Sequence, residues 1–193
     1  MKKSLGAKTL IYPTPSWIVG TYDENGKPNV MAAAWAGVCC SKPPCMTISL
    51  RKATYSYGCL MHSKAYTLNV LSENQLVEAD YFGIASGRDE NKFEVSGMTP
   101  VKSDLVNAPY IKEAPMILEC KIIHTYEIGL HTQFIGEIID VKVEEDCLGD
   151  DGEPSIEKIR PIIYATGERN YFGIGKKLER AYKVGMPLAK HKE

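Results

Sequence analysis

Apolar and charged residues alternate along two stretches in the second half of the chain, at 118–122 and at 139–144. A period of two residues is typical of an antiparallel strand that buries one face and exposes the other. The pattern therefore predicts two long strands, at 116–126 and at 135–144.

The first half of the chain contains shorter apolar segments that are separated by turn-forming residues. Residues 16–22 (SWIVGTY) are rich in β-branched and aromatic side chains, and the Asn25-Gly26 pair that follows favours a tight turn. Thr54 and Ser72 each precede a helical pattern and are suitable N-cap residues. Further strands are predicted at 29–38, 45–50, 66–71 and 160–165, and helices at 55–62 and 73–82.

Together these elements predict a mainly β protein, an antiparallel barrel with helical insertions. Strands and helices do not alternate regularly, so the pattern disfavours a doubly wound parallel sheet. The length of 193 residues is typical of one domain with a sizeable core. We expect a single domain over residues 1–193, with the barrel at about 10–166 and a C-terminal tail at 167–193.

The chain carries 23 Lys and Arg residues against 24 Asp and Glu residues, which gives a net charge of −1. This balance does not favour nucleic acid or an anionic membrane as a partner, although one or two well-placed cations still suffice for a small anion. The longest apolar run, at 30–40, is too short to cross a bilayer. Because the N-terminal segment lacks the apolar core of a signal peptide, we expect a cytoplasmic protein.

The six cysteines are Cys39, Cys40, Cys45, Cys59, Cys120 and Cys147. None belongs to a C-x-x-C pair and most lie in apolar segments, which predicts reduced and mostly buried thiols. The four histidines, His62, His124, His131 and His191, are scattered, so we expect no metal site. For the adjacent Cys39 and Cys40 a second interpretation stays open, a redox-active pair in place of core packing.

Two segments contain candidate chemistry, although the chain has none of the motifs of P-loops, zinc metalloproteases or serine hydrolases. The first segment is 29–35 (NVMAAAW), a strand of small side chains that ends in a tryptophan. Its three alanines either let a flat ligand reach the strand's backbone or give room to a packed helix.

The second segment is 49–55 (SLRKATY), where a strand ends in two cations before a helix. Arg51, Lys52, Thr54 and the first N–H groups of the helix favour binding of a phosphate. The alternative is a cationic turn that only contacts solvent.

Five motifs extend this local evidence over roughly residues 14–143: NVMAAAW, PPCMTISLRKATYS, SKAYTLNVLSENQ, SGRDENKF and HTQFIGEIIDV. In this order they resemble the flavin reductase-like, FMN-binding split-barrel family, and most of all its flavoredoxin branch, which the tail at 164–184 also resembles. The resemblance implies a split β-barrel that binds FMN. Many family members carry Ser or Thr where this chain has Ala32, Ala33 and Ala34, so only backbone contacts are implied there.

Position by position, the resemblance implies two groups of cofactor contacts and one catalytic residue. The residues along the flavin ring are Asn29, Met31, Ala32, Ala33, Ala34 and Trp35. The residues at the ribityl chain and phosphate are Ser49, Leu50, Arg51, Lys52 and Thr54, joined by Ser86, Gly87 and Lys92 from a second motif. His131 matches a catalytic position that faces the nicotinamide, and its alternative is a strand histidine in contact with solvent.

The implied activity is that of an NAD(P)H:flavin or acceptor reductase, in which NADH or NADPH gives a hydride to flavin N5 and electrons then pass to an acceptor. Two other functions stay open: a flavoredoxin-like electron carrier that a redox-protein partner reduces, and a non-catalytic barrel for another planar ligand. We expect a homodimer without a nucleic-acid or membrane partner. In the tail, Tyr171, Phe172 and Tyr182 are either packing residues or an aromatic lid, for which the flavin of a partner subunit is one location.

Overall fold

Residues 1–189, the part of the chain that the computed structural model describes, form a mainly β structure with short helices between the strands, as predicted. The strands are β1 (Thr14–Pro15), β2 (Trp17–Tyr22), β3 (Pro28–Ala33), β4 (Ala36–Ser41), β5 (Pro44–Arg51), β6 (Ala65–Val70), β7 (Pro100–Lys102), β8 (Pro109–Ile111), β9 (Met116–Ile128), β10 (His131–Val143), β11 (Ile163–Ala165) and β12 (Asn170–Phe172). The helices are α1 (Tyr55–Ser63), α2 (Leu76–Ile84), α3 (Lys92–Ser96) and α4 (Ile156–Ile159), with 3-10 turns at Glu73–Gln75, Glu145–Cys147 and Met186–Leu188.

Seven strands form one antiparallel sheet in the order β3-β2-β6-β9-β10-β5-β4. Strands β3 and β4 therefore lie at opposite edges of the sheet, yet only Ala34 and Trp35 connect them along the chain. A link of this length spans roughly 10 Å at most. The sheet therefore curls until its two edges meet at Ala34 and Trp35, and we call this place the seam.

The long β9–β10 hairpin supplies part of the curvature. Its register shifts between Ile135 and Gly136 and again between Ile138 and Asp140, and such bulges bend the strand that contains them. A Cβ atom at Gly136 would lie 2.5 Å from the hydroxyl oxygen of Tyr66. Tyr66 is fully buried and donates that hydroxyl to the carbonyl of Met46 at 3.0 Å, so only glycine fits at position 136.

The apolar core has two parts, one inside the barrel and one between the sheet and helices α2 and α3. The neighbours Ile18 and Val19 in β2 show how one strand serves both, because successive side chains point to opposite faces. Ile18 packs in the cluster of Phe82 and Phe93, and Val19 packs in the cluster of Phe134. Helix α2 is thereby held against β3.

The structure corrects one predicted strand and adds several short elements. The single strand predicted at 29–38 is two strands, β3 and β4, because the chain crosses the seam in its middle. Helices α3 and α4 and strands β7, β8 and β12 lie where the sequence has no clear period. The border predicted at 166–167 falls in the turn between β11 and β12, and residues 190–193, with His191, lie outside the described residues.

The cysteines divide into buried and exposed groups. Cys45, Cys59 and Cys120 are buried as predicted, but Cys39 and Cys40 are exposed on the edge strand β4, so the core-packing interpretation is wrong for these two. Within residues 1–189, no helix combines the length and the apolar character that crossing a bilayer requires.

Candidate functional site

A cavity of 420 Å³ opens at the seam, in the size range of about 300–1,000 Å³ that is typical of small-molecule sites. Strand β3, the end of β5, the start of β10, helix α2 and the β11–β12 hairpin all contribute to its wall. The residues that line it are Ser16, Met31, Ala32, Ala33, Ala34, Trp35, Ser49, Leu50, Arg51, Thr54, Asp80, Gly83, Ile84, His131, Tyr164, Arg169 and Tyr171.

One wall is the free edge of β3. In the described part of the chain β3 pairs only with β2, so the N–H and C=O groups on its other edge have no strand partner. The alanine side chains there are small, and a Cβ at Gly83 of α2 would lie 3.5 Å from that of Ala32. The alanines thus give room to helix α2, as one of the two interpretations predicted. The strand edge beside the cavity is compatible with the other, a flat ligand at the backbone, which stays a prediction.

A second wall is the turn from β5 into α1. The backbone N–H and the hydroxyl of Thr54 both donate to the carbonyl of Arg51, at 3.0 and 2.8 Å, which fixes the turn. The Arg51 side chain is exposed and forms no ion pair with any residue of 1–189. An unpaired guanidinium beside the start of a nine-residue helix is suited to bind an anion.

Two aromatic rings lie next to this cation. The rings of Trp35 and His131 are stacked, with centroids 6.3 Å apart and an angle of 13° between their planes. His131 is also directly opposite Arg51 in the pairing of β10 with β5, so the two side chains lie on one face of the sheet. The cavity thus combines a flat aromatic surface with a positive charge.

The opposite wall comes from the C-terminal part of the chain. Tyr171 of β12 donates its hydroxyl to Asp80 of α2 at 2.8 Å, and the rings of Tyr164 and Tyr171 lie 5.4 Å apart. Burial and the bond to Asp80 raise the pKa of the Tyr171 phenol above its ordinary value. This wall holds Tyr171 in the cavity of its own chain, whereas Phe172 and Tyr182 are exposed.

The sequence did not predict several residues of this wall, among them Asp80, Tyr164 and Arg169. The only signal for Tyr164 and Arg169 is the resemblance of the tail at 164–184, which assigned no contact to either. Arg169 adopts a left-handed backbone conformation, with φ of 57°. Such a conformation is uncommon for a residue other than glycine, asparagine or aspartate, and it aims this side chain from the hairpin turn toward the cavity.

Five residues that the resemblance assigned to the cofactor do not line the cavity: Asn29, Lys52, Ser86, Gly87 and Lys92. Lys52 is exposed and forms an ion pair with Glu127 at 2.6 Å. Asn29 is buried and donates to the hydroxyl of Ser56 in α1 at 2.8 Å. A Cβ at Gly87 would overlap Asn29 and the ring of Tyr55, and Ser86 accepts a bond from the N–H of Arg88. Asn29, Ser86 and Gly87 thus lie where β3, α1 and the 86–88 turn pack together behind the cavity.

Lys92 is the most unusual of the five, because its side chain is only 4% exposed. Its ammonium donates to the carbonyl of Phe82, in the last turn of α2, at 3.2 Å. Burial lowers the pKa of Lys92 to about 8. The lysine therefore caps the end of a helix at the cost of burying a charge.

Because Lys92 is buried, we expect the difference in free energy of unfolding between the wild-type apoprotein and its Lys92→Met variant to depend on pH. The unfolded chain keeps the lysine proton up to about pH 10.4, whereas the folded protein releases it at about pH 8. Between these values the unfolded state binds more protons, so the stability of the wild type rises with pH relative to the variant. We expect the variant to gain on the order of 1–2 kcal/mol relative to wild type at pH 7, and to lose that gain by pH 10.

Urea unfolding of both proteins at pH 7, 8, 9 and 10 measures this difference. A constant difference in the free energy of unfolding across that range would show that Lys92 does not titrate differently in the two states.

The chain is similar to known proteins over most of its length. The model of the family described as "Flavin reductase like domain" matches residues 9–173. The chain is 54% identical to flavoredoxin of Desulfovibrio vulgaris (Miyazaki F), with a TM-score of 0.92, and the match covers 96% of this chain and 100% of that one. Flavoredoxin from Methanosarcina acetivorans is 27% identical, also with a TM-score of 0.92, over 98% of this chain and 100% of that one.

A more distant relative carries the name of an enzyme. Ferric-chelate reductase (NAD(P)H) of Archaeoglobus fulgidus is 25% identical over 128 residues, which cover 66% of this chain and 75% of the relative.

Proposed function

The chain belongs to the flavin reductase-like domain family and has the split-barrel fold of flavoredoxin, and from this premise we propose that it is an FMN-binding redox protein. The observation that carries the proposal is the cavity at the seam. It joins the open edge of a small-residue strand to a guanidinium without an ion-pair partner in residues 1–189, which suits a flat ring that bears a phosphate.

The residues present fit FMN. We propose that the flavin ring lies along Ala32, Ala33 and Ala34, where unpaired backbone groups meet its polar edge. The phosphate then lies at Arg51 and Thr54, beside the first N–H groups of α1. Because the alanine side chains have no hydroxyl, backbone groups alone orient the ring on this side. Met31, Trp35, Ser49 and Leu50 complete the proposed contacts.

When bound, FMN accepts a hydride or electrons at N5 and passes them on. The chain's own contribution is to position the partners and to exclude water, because the transfer needs no general base. We propose NADH or NADPH as the electron donor, and the stacked rings of His131 and Trp35 as the surface on which its nicotinamide rests. The likeness to an NAD(P)H-dependent ferric-chelate reductase supports this donor.

A second candidate function is an electron carrier whose FMN is reduced by a protein partner. The likeness to flavoredoxin over nearly the whole of both chains favours it. Contacts between electron-transfer proteins are small, below roughly 1,200 Å² of buried surface, so such docking needs no large apolar face.

Two measurements separate these functions. Titration of the purified apoprotein with FMN tests the shared premise, and no uptake of FMN would favour a binding barrel for another planar ligand. Stopped-flow mixing of the FMN-loaded protein with NADH and NADPH then follows loss of the visible flavin absorption. Fast bleaching excludes a pure carrier, and bleaching only with a reduced protein partner excludes the reductase.

A pair of His131 variants tests the proposed nicotinamide surface. Loss of an aromatic stack costs about 0.5–1.5 kcal/mol, so we expect His131→Gln to raise KM for the nicotinamide donor by roughly 2- to 10-fold. His131→Phe keeps the stack on Trp35 and is expected to retain a KM near that of the wild type. FMN affinity is expected to stay unchanged in both. If the glutamine and phenylalanine variants have equal KM values for the donor, His131 does not bind the nicotinamide by stacking.

We further propose that the protein is a homodimer, a state that sedimentation of the purified protein measures. Exposed apolar side chains at the tip of the β9–β10 hairpin, Tyr126, Ile128 and Leu130, support an association between copies. A cytoplasmic location is likewise a proposal, and cell fractionation tests it.

A further inference from the structure

The hairpin of β4 and β5 places two cysteines face to face. In its antiparallel register Cys40 lies directly opposite Cys45, next to the pair of Ser41 and Pro44 that closes the turn. Directly opposed residues of antiparallel strands have Cα atoms about 4.5–5.5 Å apart, and disulfides join Cα atoms about 4.4–6.8 Å apart. Opposed side chains also point to the same face of the sheet. The register therefore brings the Cα atoms of Cys40 and Cys45 into the range that a disulfide spans.

The adjacent pair Cys39 and Cys40 does not share this geometry. Consecutive Cα atoms are only about 3.8 Å apart, which is shorter than the range of ordinary disulfides. Of the two cysteines next to Cys40, Cys45 across the hairpin is therefore the one whose Cα distance suits a disulfide. The sequence pointed to the adjacent pair, whereas the register of the hairpin points to the pair across the strands.

The two thiols differ in access. All six cysteines are free, Cys40 is exposed and Cys45 is only 2% exposed. Burial, together with the neighbouring thiols of Cys40 and Cys39, raises the pKa of Cys45. Because the thiolate is the nucleophile, the accessible Cys40 is suited to attack first and the buried Cys45 to react second.

We propose that Cys40 and Cys45 form a reversible dithiol–disulfide pair that exchanges with small-molecule disulfides. The Cys40 thiolate attacks one sulfur of the small disulfide, forms a mixed disulfide and releases one thiol. Cys45 then attacks the Cys40 sulfur, closes the Cys40–Cys45 bond and releases the second thiol. Two electrons and the two cysteine protons leave with the two released thiols, and a small dithiol reverses the exchange.

The pair lies on the hairpin that also builds the cavity. Strand β4 follows directly on Trp35, and β5 ends in Ser49, Leu50 and Arg51. The exchange itself uses neither FMN nor any cavity residue. It can therefore be tested whether or not the proposed cofactor binds.

The test uses the folded, fully reduced, full-length protein and oxidised glutathione as the probe. We expect two of the six thiols to be lost, peptide mapping to find a Cys40–Cys45 disulfide, and dithiothreitol to restore both thiols. In Cys45→Ser a single glutathione adduct is expected to accumulate on Cys40, whereas Cys40→Ser is expected to lose no thiol of the pair. Cys59→Ser removes a buried cysteine outside the hairpin and is expected to behave as the wild type.

Several results would overturn the proposal, and each can be observed with the wild-type protein alone. They are a Cys39–Cys40 bond, a bond of Cys45 to Cys120, a disulfide between two copies of the chain, or thiols that react only after unfolding.

Discussion

Replacing Arg51 by alanine is expected to weaken FMN binding by roughly 10- to 150-fold. The guanidinium lines the cavity beside Thr54, is exposed, and pairs with no carboxylate in residues 1–189. A hydrogen bond to a charged partner contributes about 1.5–3 kcal/mol, and that range corresponds to the expected loss of affinity. The quenching of FMN fluorescence on titration with apoprotein measures both dissociation constants.

Lys52→Ala is the matched control for this experiment, because it removes the next cation in the chain. Lys52 points away from the cavity and forms its ion pair with Glu127 on the surface. We expect its FMN affinity to stay within about twofold of the wild type, since exposed ion pairs contribute little. Equal losses of FMN affinity in the two variants would indicate a general electrostatic attraction rather than a specific site at Arg51. A loss of affinity in Lys52→Ala alone would place the phosphate at Lys52.

Replacing Gly136 by alanine is expected to destabilise the protein by about 3 kcal/mol or more, at the upper end of the cost of overpacking a core. The new Cβ would lie 2.5 Å from the Tyr66 hydroxyl oxygen and 2.7 and 2.8 Å from two ring carbons. Tyr66 cannot move aside cheaply, because it is fully buried and bonded to the carbonyl of Met46. The free energy of unfolding in urea measures the effect.

Gly37→Ala is the control, since it makes the same change in strand β4, where a Cβ would meet no atom within 4 Å. We expect its stability to change by less than about 1 kcal/mol, in the direction of a gain, because alanine restricts the unfolded chain more than glycine does. If both variants lose the same stability, the close approach of Tyr66 to β10 does not limit the barrel.

Prediction from sequence succeeded where a property is local and periodic. The alternation at 118–122 and 139–144 placed β9 and β10, because a half-buried strand must alternate. It failed at 29–38, where the apolar run at 30–40 continues through the break between β3 and β4. The hydrophobic pattern does not change where the chain crosses from one edge of the sheet to the other, so the pattern cannot reveal the crossing.

The candidate site shows the same division. Arg51 and Thr54 lie three residues apart in a strand-to-helix turn, so local chemistry offered them as an anion site beside the alternative of a bare cationic turn. Lys52 and Lys92 were equally cationic in the sequence, but one pairs on the surface with Glu127 and the other caps α2. The direction in which a side chain points depends on the packing of its element, which residue type does not reveal.

By itself, the sequence determined that this chain is a mainly β barrel of the flavin reductase-like family with a cation at a strand end, because these features rest on local periods, turn residues and ordered motifs. Only the tertiary structure decided that the edges of the sheet meet at Ala34 and Trp35, that Asp80 and Tyr171 close the cavity, and that Cys40 faces Cys45. The physical reason is that these three arrangements depend on how the sheet curls and pairs, and curvature and register join residues that the chain keeps apart.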